Sequence, residues 1–109
     1  MKNLNRGLLI VLMAFAAHIS RAQDNKMLQE MADKDQESRR SSQIDWRILH
    51  EEDSLRRAKV DKLFEEGEVK TAKDYFNAGI IFQHGDDTVA SGKAVRYFEK
   101  AIKMDSTLN

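Results

Sequence analysis

Residues 71–104 of the chain, TAKDYFNAGIIFQHGDDTVASGKAVRYFEKAIKM, decide the fold, because they predict two helices joined by a turn. Thr71 and Asp74 stand three residues apart, as in a capping box, and indicate where the first helix begins. Gly79 lies in the middle of that helix, where the missing side chain would let a neighbouring helix approach closely. We therefore expect the first helix over residues 72–84.

The second helix of the pair is expected over residues 88–104. Asp86 and Asp87 precede it, where carboxylates interact favourably with the positive end of the helix dipole. Its predicted apolar face is formed by Ala90, Ala94, Phe98, Ala101 and Ile102. Antiparallel packing of the two helices would remove both apolar faces from water.

The apolar pattern of this pair resembles a tetratricopeptide-type helix–turn–helix. Gly79 and Phe82 supply the small residue and the aromatic of the first helix, and Ala94, Phe98 and Ala101 supply the small–aromatic–small pattern of the second. This resemblance implies an all-α fold of helical hairpins with tetratricopeptide-like, α-solenoid-type packing.

The stretch YFEKAIKMD at residues 97–105 is similar to the end of such a repeat. Two features depart from the pattern. Ser106 stands where the repeat usually has proline, and the turn over 84–92 is about three residues longer than the standard unit.

A wider resemblance covers most of the chain. The stretches MADKDQESR at 31–39 and DYFNAGIIFQHG at 74–85 are similar to a bacterial family of unknown function whose members are often exported. In that family the chain usually continues with more helix, whereas this sequence stops at Asn109. We therefore expect a C-terminally shortened chain, or one that completes its core by association.

A helix over residues 25–40 is expected before the hairpin, with Asp24 as its N-cap. Its apolar edge is narrow and consists of Met27, Leu28 and Met31. Asp35 and Arg39 are four residues apart and can meet on one face. The pattern predicts a solvated helix with a thin stripe facing the core.

A further helix is expected over residues 44–66, closed by Gly67 in a left-handed conformation. Ile44, Ile48 and Leu55 predict its apolar stripe, together with Val60, Leu63 and Phe64 at the far end. Trp46 falls off this stripe, so we expect it to be partly buried or to contact a partner.

The first 22 residues are typical of an export signal, and we expect them to form an N-terminal signal helix before the helical domain. Lys2 and Arg6 precede a short apolar run over 8–19, and Ser20 and Ala22 supply the small residues that a signal peptidase reads. We expect cleavage after Ala22 and a periplasmic or extracellular protein. The alternative is an uncleaved anchor, which would be the chain's contact with a membrane.

Three segments are therefore predicted: a signal peptide over 1–22, an N-terminal helix and linker over 23–43, and a helical domain over 44–109 with the tetratricopeptide-like hairpin at 72–105. Removing the signal lowers the basic count from 18 to 15, while the acidic count stays at 18, giving a net charge of −3. That charge is unfavourable for a nucleic-acid surface. Because cysteine is absent, disulfides, thiolate chemistry and a lipid-modified cysteine are excluded.

The cluster with the clearest chemical potential is formed by His84, Asp86 and Asp87 in the turn of the hairpin. An imidazole and two carboxylates could bind a metal or share a proton, and His50 could approach them in space. The other interpretation is that His84 ends one helix and the aspartates begin the next. The motif His50-Glu51-Glu52-Asp53 lacks the second histidine of a zinc protease helix.

The sequence favours an exported helical protein-interaction module, without a predicted cofactor or catalytic residue. The expected partner is a protein or peptide on the concave face of the hairpin, contacted by Tyr75, Phe82 and Tyr97, although these side chains could equally lie in the core. Self-association through the open C-terminal end is a further option. The alternative function is a metal-binding protein or hydrolase-type enzyme that uses His84, Asp86 and Asp87.

Overall fold

The computed structural model describes residues 22–108, and within that range the chain is all-helical and has no strand. Four helices follow one another: α1 (Lys26–Ser38), α2 (Trp46–Glu65), α3 (Ala72–Phe82) and α4 (Thr88–Met104). The all-α prediction is confirmed. The predicted signal helix lies outside the described residues, apart from Ala22. None of the described helices is long and apolar enough to span a bilayer.

Side-chain caps start the helices close to the predicted positions. The capping box of α3 is complete, because Thr71 accepts from the Asp74 backbone N–H and Asp74 accepts from the Thr71 backbone N–H. Asp87 caps α4 by accepting from the Ala90 N–H at 2.8 Å. The cap of α1 is Asn25 rather than the predicted Asp24, since it is the Asn25 side chain that accepts from the Leu28 N–H.

The glycine that ends α2 has the predicted left-handed backbone, with φ of 70° at Gly67. Two hydrogen bonds close the helix around it: the Gly67 N–H donates to the Phe64 carbonyl, and the Glu68 N–H donates to the Leu63 carbonyl. This pairing is the Schellman motif, which satisfies carbonyl groups at a helix end. The chain then turns directly into the cap of α3.

Helices α3 and α4 form an antiparallel hairpin that is closely packed at Gly79. A Cβ atom at that position would lie 2.7 Å from the Phe98 ring, so only glycine fits without a shift. The Lys93 ammonium, early in α4, lies over the ring of Phe82 at the end of α3, whereas the Lys100 ammonium, later in α4, lies over the ring of Tyr75 near the start of α3. This order of contacts shows the antiparallel direction.

The core extends from the hairpin to both preceding helices. Its buried apolar members are Leu28, Ala32, Val60, Leu63, Val69, Ala78, Ile81, Phe82, Ala90 and Ala94. Helix α1 packs on α2 and α3, and α4 packs on α3. Asp74 ties the start of α1 to the start of α3, because its buried carboxylate accepts from the backbone N–H groups of Asn25, Lys70 and Thr71.

Three expectations about which residues face the core are wrong. On α2, Ile48 and Leu55 are exposed, and the buried face carries Leu49, Asp53, Val60 and Leu63 instead. On α4, Ile102 is also exposed. On α1, Asp35 is completely buried rather than solvated. Because the buried faces of α1 and α2 both contain charged residues, hydrophobic periodicity alone pointed to the wrong side of the first half of α2, whereas Val60 and Leu63 in its second half are buried as predicted.

Candidate functional site

An aromatic cluster lies where the end of α2 meets the hairpin. Tyr97 stacks on Phe64 with ring centroids 4.7 Å apart, and Tyr75 approaches the same two rings at 5.7 and 6.5 Å. Both tyrosines are partly exposed. Neither hydroxyl hydrogen-bonds another described side chain or backbone group. The cluster therefore presents two rigid rings with polar tips to solvent.

Phe82 does not belong to this exposed surface. It is only 3 % exposed and packs edge-on to Tyr97 from the core side. Of the two roles that the sequence left open for Phe82, a partner contact and a core position, the structure shows the core position, where Phe82 packs against the Tyr97 ring. Its neighbours explain the burial, since it sits on the face of α3 that packs against α4.

Cations surround the aromatic cluster. The Lys100 ammonium lies 5.9 Å from the centre of the Tyr75 ring, and the Lys93 ammonium lies 5.2 Å from the centre of the Phe82 ring. Lys93 also binds the Asp61 carboxylate at 3.0 Å. Burial raises the pKa of the Tyr97 hydroxyl above its usual 10.0, although the Lys93 charge acts in the opposite direction. Tyr97 therefore remains a protonated hydrogen-bond donor near neutral pH.

The predicted cluster in the hairpin turn is not brought together as one site. Asp87 is used as the N-cap of α4. His84 points toward α1 instead, with its Nε2 atom 3.3 Å from the Asp35 carboxylate. Asp86 is 74 % exposed and faces His50, whose Nδ1 atom lies 3.7 Å away. Among residues 22–108, no group of three histidine, aspartate or glutamate side chains is arranged to hold a metal ion.

A buried ion network lies beneath that turn, and the sequence predicted only its Asp35–Arg39 pair. The network consists of Asp35, Arg39, Asp53, Arg56 and His84. Arg39 binds both carboxylates: its Nη1 atom is 3.2 Å from Asp35 and 3.2 Å from Asp53. Arg56 donates to Asp53 at 2.8 Å. The aspartates are 0 % and 3 % exposed, so the two guanidinium groups neutralise carboxylates that water hardly reaches.

The arginines determine the charge state of Asp53. Burial by itself would raise the pKa of this carboxyl group, but the hydrogen bonds and positive charges of Arg39 and Arg56 outweigh it. The pKa of Asp53 therefore lies below its usual 3.8. The Asp53 carboxylate therefore stays ionised at any pH near neutral.

The imidazole of His84 closes the network from the hairpin side. Burial lowers the pKa of His84 below its usual 6.5, although the negative charge of Asp35 acts in the opposite direction. Its Nε2 atom is buried and lies close to Asp35, but it is out of line for a hydrogen bond. The network can therefore link α1, α2 and the hairpin turn, and its members are engaged with one another rather than open to a substrate.

A repeated spacing in the sequence could have revealed this network. Leu28, Ala32, Asp35 and Arg39 follow one another at spacings of four, three and four, which places them on one helix face. Leu49, Asp53, Arg56 and Val60 repeat the same spacings on α2. An aspartate–arginine pair that continues an apolar stripe on each of two neighbouring helices indicates paired burial.

No protein-family model matches this sequence, and no curated protein or solved structure is significantly similar to it. The tetratricopeptide-like resemblance of residues 72–105 therefore remains a prediction. The geometry of the described residues is therefore the basis for inferring a function.

Proposed function

We propose that this protein is an exported, tetratricopeptide-like helical module that binds another protein or a peptide. The observation that carries the proposal is the partly exposed tyrosine pair, Tyr75 and Tyr97, held by ring contacts on Phe64. Tyrosine is enriched at protein interfaces, because one rigid side chain offers apolar area and a hydrogen-bonding hydroxyl at a small entropic cost. Free hydroxyls on a supported aromatic surface suit such a contact.

The packing of the hairpin supports the tetratricopeptide-like part of the proposal. Small residues lie at the close contacts, where Gly79 meets Phe98 and where Ala94 and Ala101 are buried. Such positions let the two helices approach closely and leave the sides of the hairpin for recognition.

The sequence supports the export part of the proposal. The first 22 residues combine a positive start, a short apolar run and small residues at the expected cleavage site. The absence of cysteine means that the exported chain relies on its core and its ion network for stability.

Site-specific photo-crosslinking in the native envelope tests the proposal. We expect a photoreactive residue at position 75 to give one discrete crosslinked protein, and the same residue at position 55 to give none. Leu55 is the matched control, because it is 72 % exposed and lies on α2 outside the aromatic cluster. Equal crosslinking at both positions, or none at position 75, would overturn the proposed binding surface.

A second variant checks that recognition depends on the side chain. Tyr75→Ser should weaken capture of the crosslinked protein, while Leu55→Ser should leave it unchanged. Circular dichroism of both variants controls for loss of folding.

The alternative function is a metal-binding protein or hydrolase based on His84, Asp86 and Asp87. The geometry does not favour it, because His84 contacts Asp35 and Asp87 caps α4.

A further inference from the structure

Helix α4 carries a row of unpaired cations on its outer face. Arg96, Lys100 and Lys103 recur at spacings of four and three, which places them along the side of α4 away from the buried Ala94 and Ala101. All three are exposed. Within residues 22–108, none of them has a carboxylate within 4 Å. We call these three residues the basic stripe; Glu99 is the one carboxylate among them.

Helix α1 carries a matching row of opposite sign. Glu30, Asp33 and Glu37 recur at spacings of three and four on the side of α1 away from the buried Leu28 and Ala32. All three are exposed, and none forms an ion pair within the described part of the chain. We call these residues the acidic stripe. Lys34 is the one cation between them, and Lys26 precedes them by about one turn.

The two stripes do not pair with each other within one molecule. They lie on different helices, α1 and α4, and no ion pair joins them among the described residues. Each stripe has three charges of one sign with a single opposite charge among them. A surface that carries both halves of a complementary pair at separate places fits a second copy of itself.

We propose that the basic stripe of one copy binds the acidic stripe of a second copy. This inference goes beyond the partner binding proposed above and does not depend on it. Exposed apolar side chains flank both stripes and would be covered in the contact, namely Val95 and Ile102 on α4 and Met27 on α1. Because the two surfaces differ, each bound copy leaves one stripe free, so the contact builds rings or longer assemblies.

The association is weak and sensitive to salt. Exposed ion pairs contribute little individually and are screened by added ions, so several of them together with a small apolar area give a reversible contact. The assembly should therefore form at high protein concentration and low ionic strength.

Sedimentation of the exported protein tests the proposal. We expect the average mass to rise with protein concentration in dilute buffer and to return to that of a single chain in about 1 M sodium chloride. Arg96→Glu with Lys103→Glu should weaken self-association by about tenfold or more. Both substitutions avoid Lys100, which contacts the Tyr75 ring.

The reciprocal variant, Glu30→Lys with Glu37→Lys, should weaken self-association equally. An equimolar mixture of the two variants should associate again, because the reversed stripes then complement each other between the two proteins. As a matched control, Lys59→Glu with Lys70→Glu makes the same charge change at exposed positions outside both stripes.

Three results would overturn the proposal: a single-chain mass at every concentration in dilute buffer, equal weakening by the control variant, or failure of the mixture to associate. The crosslink from position 75 distinguishes this failure from failure of the proposed function. If that crosslink persists while self-association is absent, the partner surface stands and the stripe contact does not.

Discussion

Arg39→Met should destabilise the protein strongly, because Arg39 bridges two buried carboxylates. The variant replaces the aliphatic stem of arginine with an apolar chain but removes the guanidinium group. It leaves Asp35, which is completely buried, and Asp53, which is 3 % exposed, with Arg56 as their remaining cation. Removing one partner from a buried ion pair costs about 3–5 kcal/mol. The Arg39 side chain is itself 20 % exposed, so we take the lower end of that range, about 3 kcal/mol.

The assay is thermal and urea unfolding of the protein followed by circular dichroism. For a domain of this size, 1 kcal/mol shifts the melting temperature by about 4–8 °C, so the expected drop is roughly 12–24 °C. Arg40→Met is the matched control: its side chain is exposed and has no ion pair among the described residues, so the change should stay within about 0.5 kcal/mol.

A double variant separates the lost bridge from the stranded charge. Arg39→Met combined with Asp53→Leu removes one stranded carboxylate, so it should recover part of the stability lost in Arg39→Met alone. A cost below about 0.5 kcal/mol for Arg39→Met, or equal costs for Arg39→Met and Arg40→Met, would refute the reasoning that the network is buried and interdependent.

Three further predictions concern the hairpin, the end of α2 and the response to pH. Gly79→Ala should lower the free energy of unfolding by about 1–3 kcal/mol, because the new methyl group meets the Phe98 ring. Gly92→Ala should raise it by up to about 1 kcal/mol, because its methyl group meets only the flexible end of the Arg96 side chain. Equal melting temperatures for the two variants would contradict the close approach. Gly67→Ala should cost about 1–2 kcal/mol, since the site has no steric obstacle but requires a positive φ; an unchanged urea midpoint would contradict this. The pKa of His84 is lower in the folded than in the unfolded state, so the unfolded chain binds more protons and stability should fall as the pH drops through about 6.5. His84→Gln should flatten this dependence of the unfolding free energy on pH. Identical pH dependence in the variant and the original protein would contradict the prediction.

Local signals in the sequence predicted the hairpin well. The capping box at Thr71, the cap at Asp87 and the close approach at Gly79 each depend on residues within or beside one helix. Such features follow from backbone hydrogen bonding and sterics, which nearby residues determine. The left-handed closure of α2 at Gly67 belongs to the same class.

The orientation of α2 could not be predicted in that way. Leu55 and Ile48 are apolar, as core residues usually are, but they are exposed. Asp53 is charged, as surface residues usually are, but it is buried. The burial of Asp53 depends on Arg39, which lies on another helix. This pairing forms only when α1 and α2 lie side by side. The repeated spacing of the two aspartate–arginine pairs is the one sequence signal that indicates it.

The candidate site could be predicted only in part, because its side chains also depend on contacts between separate helices. The sequence left Tyr75 and Tyr97 open between a partner surface and the core; they are partly exposed, and their support by Phe64 comes from α2. His84 was singled out for a cluster with Asp86 and Asp87 that the structure does not form. Its contact with Asp35 joins residues that are 49 positions apart in the sequence, which no local motif encodes.

The central claim is that α1 and the hairpin share one core, closed by the buried ion network. Native-state hydrogen exchange of the protein tests it most directly, by comparing the amides of Leu28 and Ala32 on α1 with that of Ile81 on α3. We predict equal free energies of exchange for the three amides, and a parallel decrease in all of them in Arg39→Met. Fast exchange on α1 with full protection of Ile81, or a decrease on α1 alone, would contradict the claim.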